Sequence, residues 1–172
     1  MCPLEEGRRN APDEAPSMTN GRAHAVAFEE FVELFQRLRA EARTAGTVVL
    51  VEGVRDRQAL RRLGLDGEIA VLHRGRSLSD TAAQLADGRR RVILLTDWDT
   101  EGGHLAHRIA EFLEAERLEL DLDTRRRLAR VLRGELVHVE GLYGWARRLA
   151  EREGTSIEQR LDDADGDERP TG

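Results

Sequence analysis

The sequence predicts an α/β fold with about four mostly parallel strands in one sheet, flanked by helices. Three observations carry this reading. Short apolar runs rich in β-branched residues alternate along the chain with segments of helical apolar spacing. Glycines punctuate the junctions, at Gly46, Gly53, Gly64 and Gly134. The apolar runs are of strand length, far below the ~20 residues of a membrane span.

Residues 1–24 hold three prolines and no apolar period, and are expected to be a disordered tail. Met18 is a plausible true start, because residues 1–17 add nothing that folds. Over 25–45 the apolar residues Phe28, Phe31, Val32, Phe35 and Leu38 recur at intervals of three and four, which predicts an amphipathic helix ended by Gly46. TVVLVE (47–52) reads as a buried strand. Asp56 opens a helix through Leu63. EIAVLH (68–73) reads as a second strand, and Ser77 as the N-cap of a helix through Leu85, with Asp80 in capping-box position. RVILLT (91–96) reads as a third strand, followed by a helix over about 103–118. Asp123 is expected to cap the helix RRRLARVLRG, ended by Gly134. ELVHVE (135–140) reads as a shorter fourth strand and 142–152 as a last helix. The α/β domain therefore spans 46–152, and 153–172 is expected to be a loose acidic tail.

Composition excludes several function classes. The 27 basic residues are all arginine, so neither a Schiff-base lysine nor a Walker-A lysine exists. The single cysteine, Cys2, supports neither a disulfide framework nor a cysteine zinc site. No secretory or membrane-spanning pattern is present, so a cytoplasmic protein without membrane contact is the expectation. The net charge of −6 sits at the ends: residues 25–150 hold 21 acids and 21 arginines. The middle of the chain is thus no obstacle to an anionic substrate.

The chemistry lies in LLTDWDTEGG (94–103). Asp97, Asp99 and Glu101 alternate after an apolar run and would share one side if the chain stayed extended there. Like charges so close are costly unless a cation sits among them. Open parallel sheets bind ligands at the carboxyl ends of their strands, where strand order reverses. Glu52 ends the first strand, and it would face the same crevice. Carboxylate oxygens suit Mg²⁺ or Mn²⁺. Gly102 and Gly103 would leave room for a phosphate at the helix start. The bland readings are that Glu101 answers the helix dipole and that Asp56 is a cap.

A Glu-Gly ending the first strand, in VEGVRDRQAL (51–60), followed by Asp-x-Asp-x-x-Gly ending a later one, resembles the Toprim domain over about residues 45–140. That domain is shared by type IA and type II topoisomerases, bacterial primases, OLD-family nucleases, RecR-type repair proteins and the ribonuclease that matures 5S rRNA. The whole chain, including VEGLYGWARRL (139–149), resembles the small stand-alone Toprim proteins of archaea. The resemblance implies Glu52 as general acid/base, Asp97 and Asp99 as Mg²⁺ ligands, and Glu101 as a residue completing the site. No second domain, zinc cysteines or Walker motif accompanies it, and the one tyrosine, Tyr143, lies near the last helix. The 5S-maturing ribonuclease is therefore the closest functional analogue.

Arg74 and Arg76, at the carboxyl end of the second strand, and Arg126, Arg130 and Arg133, spaced along one helix, are candidate contacts to a nucleic-acid backbone. For the last three a solvated helix face is the preferred reading. Arg55 and Arg57 assist the site or lie on the surface. His104 and His107 read as an incidental pair, and Trp98 as core beneath the site rather than a stacking platform, aromatics being only 4% of residues. The expected function is Mg²⁺- or Mn²⁺-dependent phosphodiester chemistry, a nuclease on RNA or DNA using water as nucleophile. The alternative is a non-catalytic Toprim module that uses metal to hold nucleic acid or a partner protein. A third reading is a subunit of a larger primase- or topoisomerase-like machine.

Overall fold

The computed structural model describes residues 18–72 and 75–163, with side chains from residue 21 onward. Four strands form one parallel sheet: β1 (Thr47–Val51), β2 (Glu68–Val71), β3 (Arg91–Leu95) and β4 (Glu119–Asp121), in spatial order β2-β1-β3-β4. Among the described residues seven α-helices flank them: α1 (Met18–Ala42), α2 (Val54–Arg62), α3 (Leu78–Ala86), α4 (Thr100–Ala115), α5 (Asp123–Leu132), α6 (Leu142–Arg152) and α7 (Ile157–Asp162). None is long and apolar enough to cross a membrane.

The central strands are apolar at nearly every position because helices cover both faces. Val49, Val51, Ile93 and Leu95 pack with the apolar residues of α1, α2, α5, α6 and α7. Val48, Leu50, Val92 and Leu94 face α3 and α4. The heaviest packing is on the first face. Phe28, Phe31 and Phe35 of α1 are fully buried. Phe31 stacks on Phe35 with centroids 5.5 Å apart and meets the Trp145 ring edge-on at 5.2 Å.

Four expectations are corrected. First, the N-terminal helix begins at Met18, within the stretch expected to be tail, whereas residues 1–17 lie outside those described. Second, the fourth strand is Glu119–Asp121, not 135–140. Its signal is the alternation Leu118, Leu120, Leu122, whose first member falls inside the helix expected over about 103–118 and whose others fall in the unassigned residues before Asp123. Arg117 makes the turn between α4 and β4, at φ 59, a left-handed conformation that glycine usually supplies. With β4 occupying the edge beside β3, residues 135–140 cross the end of β3, where the Trp98 amide donates to the Val137 carbonyl at 2.8 Å. Third, Asp121, not Asp123, caps α5, its Oδ1 accepting from the amides of Asp123 and Thr124. Fourth, α7 lies within the stretch expected to be a loose acidic tail, residues 164–172 being outside those described. Ile157 and Leu161 of α7 are buried, and Ser156 accepts from the Gln159 amide to cap the helix. Arg39, only 6% exposed, clamps it by donating to the Leu161 carbonyl and the Asp162 carboxylate, both at 3.0 Å.

Since Phe31 joins α1 to α6 through Trp145, Phe31→Ala should remove about 3–5 kcal/mol of unfolding free energy. Urea denaturation followed by circular dichroism measures this. A loss below about 1 kcal/mol would show that this seam is not tightly packed.

Candidate functional site

The strand order reverses between β1 and β3. Their register sets Val51 beside Leu95, so Glu52 and Asp97 emerge together at the carboxyl edge. They are in contact: the Asp97 amide donates to Glu52 Oε1 at 2.9 Å. The expected convergence of the two motifs is therefore present as a hydrogen bond between the strand ends. Gly53 is the N-cap of α2, which begins at Val54 rather than at Asp56; the Gly53 amide donates to Asp56 Oδ2 at 2.8 Å, so Asp56 caps from the third helical position.

Asp97 is held through both oxygens. Oδ1 accepts from the Val139 amide and Oδ2 lies 2.8 Å from His138 Nδ1. Asp99 is the N-cap of α4, its Oδ1 accepting from the Gly102 amide at 2.7 Å. Backbone extension thus stops at Asp99, which moves Glu101 onto the exposed first turn of the helix. Glu101 takes no part in the cluster that forms instead: ligand atoms of Asp97, Asp99 and His138 all lie within 4.8 Å of one another. Gly102 has an internal purpose rather than the expected phosphate-binding one. A Cβ there would fall 2.3 Å from the Asp97 carbonyl oxygen, and its amide is already taken by Asp99. Only Gly103 leaves open space on that turn.

Two residues of the site escaped the sequence reading. His138, half exposed, sits in the segment taken for a strand. Arg125, the first of three consecutive arginines, is partly buried behind the site. Its Nε donates to the Thr96 carbonyl and hydroxyl at 3.1 and 3.0 Å, and its Nη2 to the Asp97 carbonyl. Trp98 packs against the core as read, with Nε1 donating to the Arg125 carbonyl at 3.0 Å.

The cleft these residues border holds about 550 Å³ and is lined by Glu52, Asp56, Asp97, His138 and Glu140, with Leu72, Leu78 and Leu105. Burial pushes the Glu52 carboxyl above its usual range, and Asp97, Asp56 and Asp99 add to this; the Asp97 amide opposes it. Burial likewise raises Asp56. The Asp97 carboxylate raises His138 by favouring the charged ring. Burial lowers Arg125, against the pull of Glu52, Asp97 and Asp99.

The donor set suits a divalent cation. Two carboxylates and an imidazole offer the oxygen and nitrogen donors such an ion takes, with ligand atoms within 4.8 Å of one another. The other nominated residues lie apart from this cluster. Arg76 bonds to Gln84, and Arg74 is outside the described residues. Arg126 and Arg130 are exposed on α5, and Arg133 leaves that helix as its left-handed cap. His107 faces Glu111, and neither it nor His104 belongs to the Asp97, Asp99 and His138 cluster.

The Toprim domain matches residues 47–131. A UPF0292 protein of Methanosarcina acetivorans is 33% identical over 144 residues, covering 83% of this chain and 97% of the relative. One of Thermococcus gammatolerans is 39% identical over 121 residues, 70% of this chain and 86% of its own. A solved structure of a putative protein from Aquifex aeolicus superposes with a TM-score of 0.55 at 28% identity, covering 63% of this chain and 94% of that one.

Two outcomes test the geometry. In an NMR titration His138 should titrate above the ordinary ~6.5, and Asp97→Asn should return it toward that value. The contact therefore stabilises the fold below about pH 6.5 and fades as pH rises through the folded-state value. Gly102→Ala should cost about 1–3 kcal/mol by displacing the Asp97 backbone, and should weaken Mn²⁺ uptake measured by calorimetry. An unshifted His138, or uptake unchanged in Gly102→Ala, would contradict this geometry.

Proposed function

The chain belongs to the Toprim-domain proteins, alongside the archaeal UPF0292 proteins, and from that premise we propose that it is a divalent-metal-dependent nuclease acting on RNA or DNA. A Toprim domain brings a metal-binding, nucleic-acid-related role. The observation that carries the finer reading is the contact between Glu52 and Asp97 at the switch point.

Glu52 is the proton-moving group in this proposal. Its position among carboxylates and its burial favour the protonated form near neutral pH more than an ordinary glutamate allows. One of its oxygens is committed to the Asp97 amide, so the other delivers the proton to a leaving oxygen or takes one from the nucleophile. Asp97, Asp99 and His138 would hold the metal, with His138 in the place expected of Glu101. A bound divalent ion would neutralise phosphate charge and make a coordinated water acidic. The imidazole donor favours Mn²⁺ over Mg²⁺, because nitrogen ligands suit transition metals better. Arg125 keeps positive charge behind three carboxylates and fixes the carbonyls from which Asp97 projects.

A second reading has its own observation. Both Asp97 oxygens already have protein partners, which suits a site that organises a binding surface without turning over substrate. The two readings separate in one series. Under the nuclease reading, Glu52→Gln should lower Mn²⁺-dependent cleavage of labelled host RNA and DNA by roughly 10²-fold or more, with oligonucleotide binding retained. The pH limb above the ordinary glutamate range should vanish in that variant. The Asp97→Asn, Asp99→Asn double variant should lose Mn²⁺ uptake. Cleavage equal in wild type and Glu52→Gln on every substrate would remove Glu52 from catalysis.

A further inference from the structure

Beside the carboxylate cleft lies a second groove of about 750 Å³ between α2 and α6. The two share Arg55 and Glu140, so the groove opens directly onto the site. Arg55 and Arg62 come from α2, and Arg147 and Arg148 from α6. Four guanidinium groups thus line it against the single carboxylate of Glu140, in a chain whose net charge is −6. We propose that this groove binds the phosphate backbone of the nucleic-acid strand that leads into the carboxylate cleft.

The local contacts support an anion rather than a structural purpose for these arginines. Arg62 lies over the Tyr143 ring, its guanidinium carbon 3.8 Å from the centroid. Tyr143 is itself fixed by donating its hydroxyl to Glu158 at 3.0 Å. The ring positions Arg62 without neutralising it, so its donors stay available to a phosphate. Arg148 makes no ion pair among the described residues. Arg55 is 84% exposed, and its approach to Glu140 is a loose 3.9 Å. Arg147 pairs only with Glu151 on its own helix, at 3.5 Å. Salt-exposed pairs of this kind contribute little and give way readily.

The groove reads the backbone and not the bases. The one aromatic ring lining it, Tyr143, carries Arg62 over one face and packs against the core, so it is not an open stacking platform. One side of the groove is formed by α6 and the segment before it, which lie beyond the 47–131 Toprim match. This surface is therefore an addition to the domain core. RNA and DNA offer the same phosphodiester chemistry, and affinity should depend steeply on salt for both.

The inference rests on the nucleic-acid reading of the site, and the test separates the two. Fluorescence anisotropy with short labelled RNA and DNA, single-stranded and duplex, is measured in EDTA, where metal chemistry contributes nothing. The Arg147→Ala, Arg148→Ala double variant should bind at least ~10-fold more weakly at low salt. Its slope of log affinity against log salt should shrink by about 1.4 for single strands, two phosphate contacts being lost. Arg147→Lys with Arg148→Lys should keep most of the slope, and Arg108→Ala on α4 should leave binding unchanged. Circular dichroism confirms that each variant is folded. Unaltered binding in the alanine double variant overturns the proposal. So does a loss that follows Arg126→Ala with Arg130→Ala on α5 instead, or an absence of nucleic-acid binding in wild type. Binding by the groove without Mn²⁺-dependent cleavage would sink the nuclease reading and leave the groove standing.

Discussion

The hydrogen bond from the Asp97 amide to Glu52 constrains everything else at the site. It joins the ends of the two strands between which the sheet changes direction, and it does so by placing a carboxylate beside an acidic residue. Glu52, Asp97 and Asp99 crowd one edge, and that arrangement is unfavourable on its own. The fold answers with dipoles and one cation. Amides of Asp97, Gly102 and Val139 each point at a carboxylate oxygen, and Arg125 supplies positive charge from behind. Burial, with the neighbouring acids adding to it, holds the Glu52 carboxyl above its usual range, while the Asp97 carboxylate raises His138 by favouring its charged ring. An acid that holds its proton more tightly than usual is the form a proton donor needs.

Much of this was legible in the residues. The β1 and β3 runs are apolar on both faces and bounded by breakers, so their assignment needs no tertiary information. Parallel order then brings their carboxyl ends together. The acids that follow each run are placed by that logic alone, which is why Glu52 and Asp97 are found together. Where the reading relied on extension past the strand end it failed. Asp99 turns the chain by capping α4, and Gly102 must pass within touching distance of the Asp97 carbonyl. Local alternation cannot anticipate a helix that starts inside the motif.

His138 and Arg125 were illegible for a different reason. His138 reaches Asp97 from 41 positions away, on irregular backbone whose path depends on β4 having filled the sheet edge. The apolar spacing of 135–140 suits a strand equally well in isolation. Arg125 differs from Arg126 and Arg127 only in the direction it leaves α5, and that direction is set by the Asp121 cap and by the burial of Leu128 and Val131. Three adjacent arginines have one composition and separate fates.

Those fates divide the cations of the molecule by task. Arg39 and Arg91 tie elements together, Arg39 to the last helix and Arg91 to Glu41, Glu119 and Asp121 at the sheet's amino edge. Arg125 balances the carboxylates from within. The arginines of α2 and α6 lie beyond both of these networks, at the rim of the cleft. A cation used structurally is saturated by its partners and has little left for a ligand, whereas one held by an aromatic ring keeps its donors. The balanced composition of residues 25–150 therefore conceals an uneven field: acids and their internal counter-charge gather at the switch point, and unspent positive charge lies beside it. A polyanion approaching that edge would meet attraction first along α2 and α6 and repulsion at the carboxylates, which a bound divalent cation would offset.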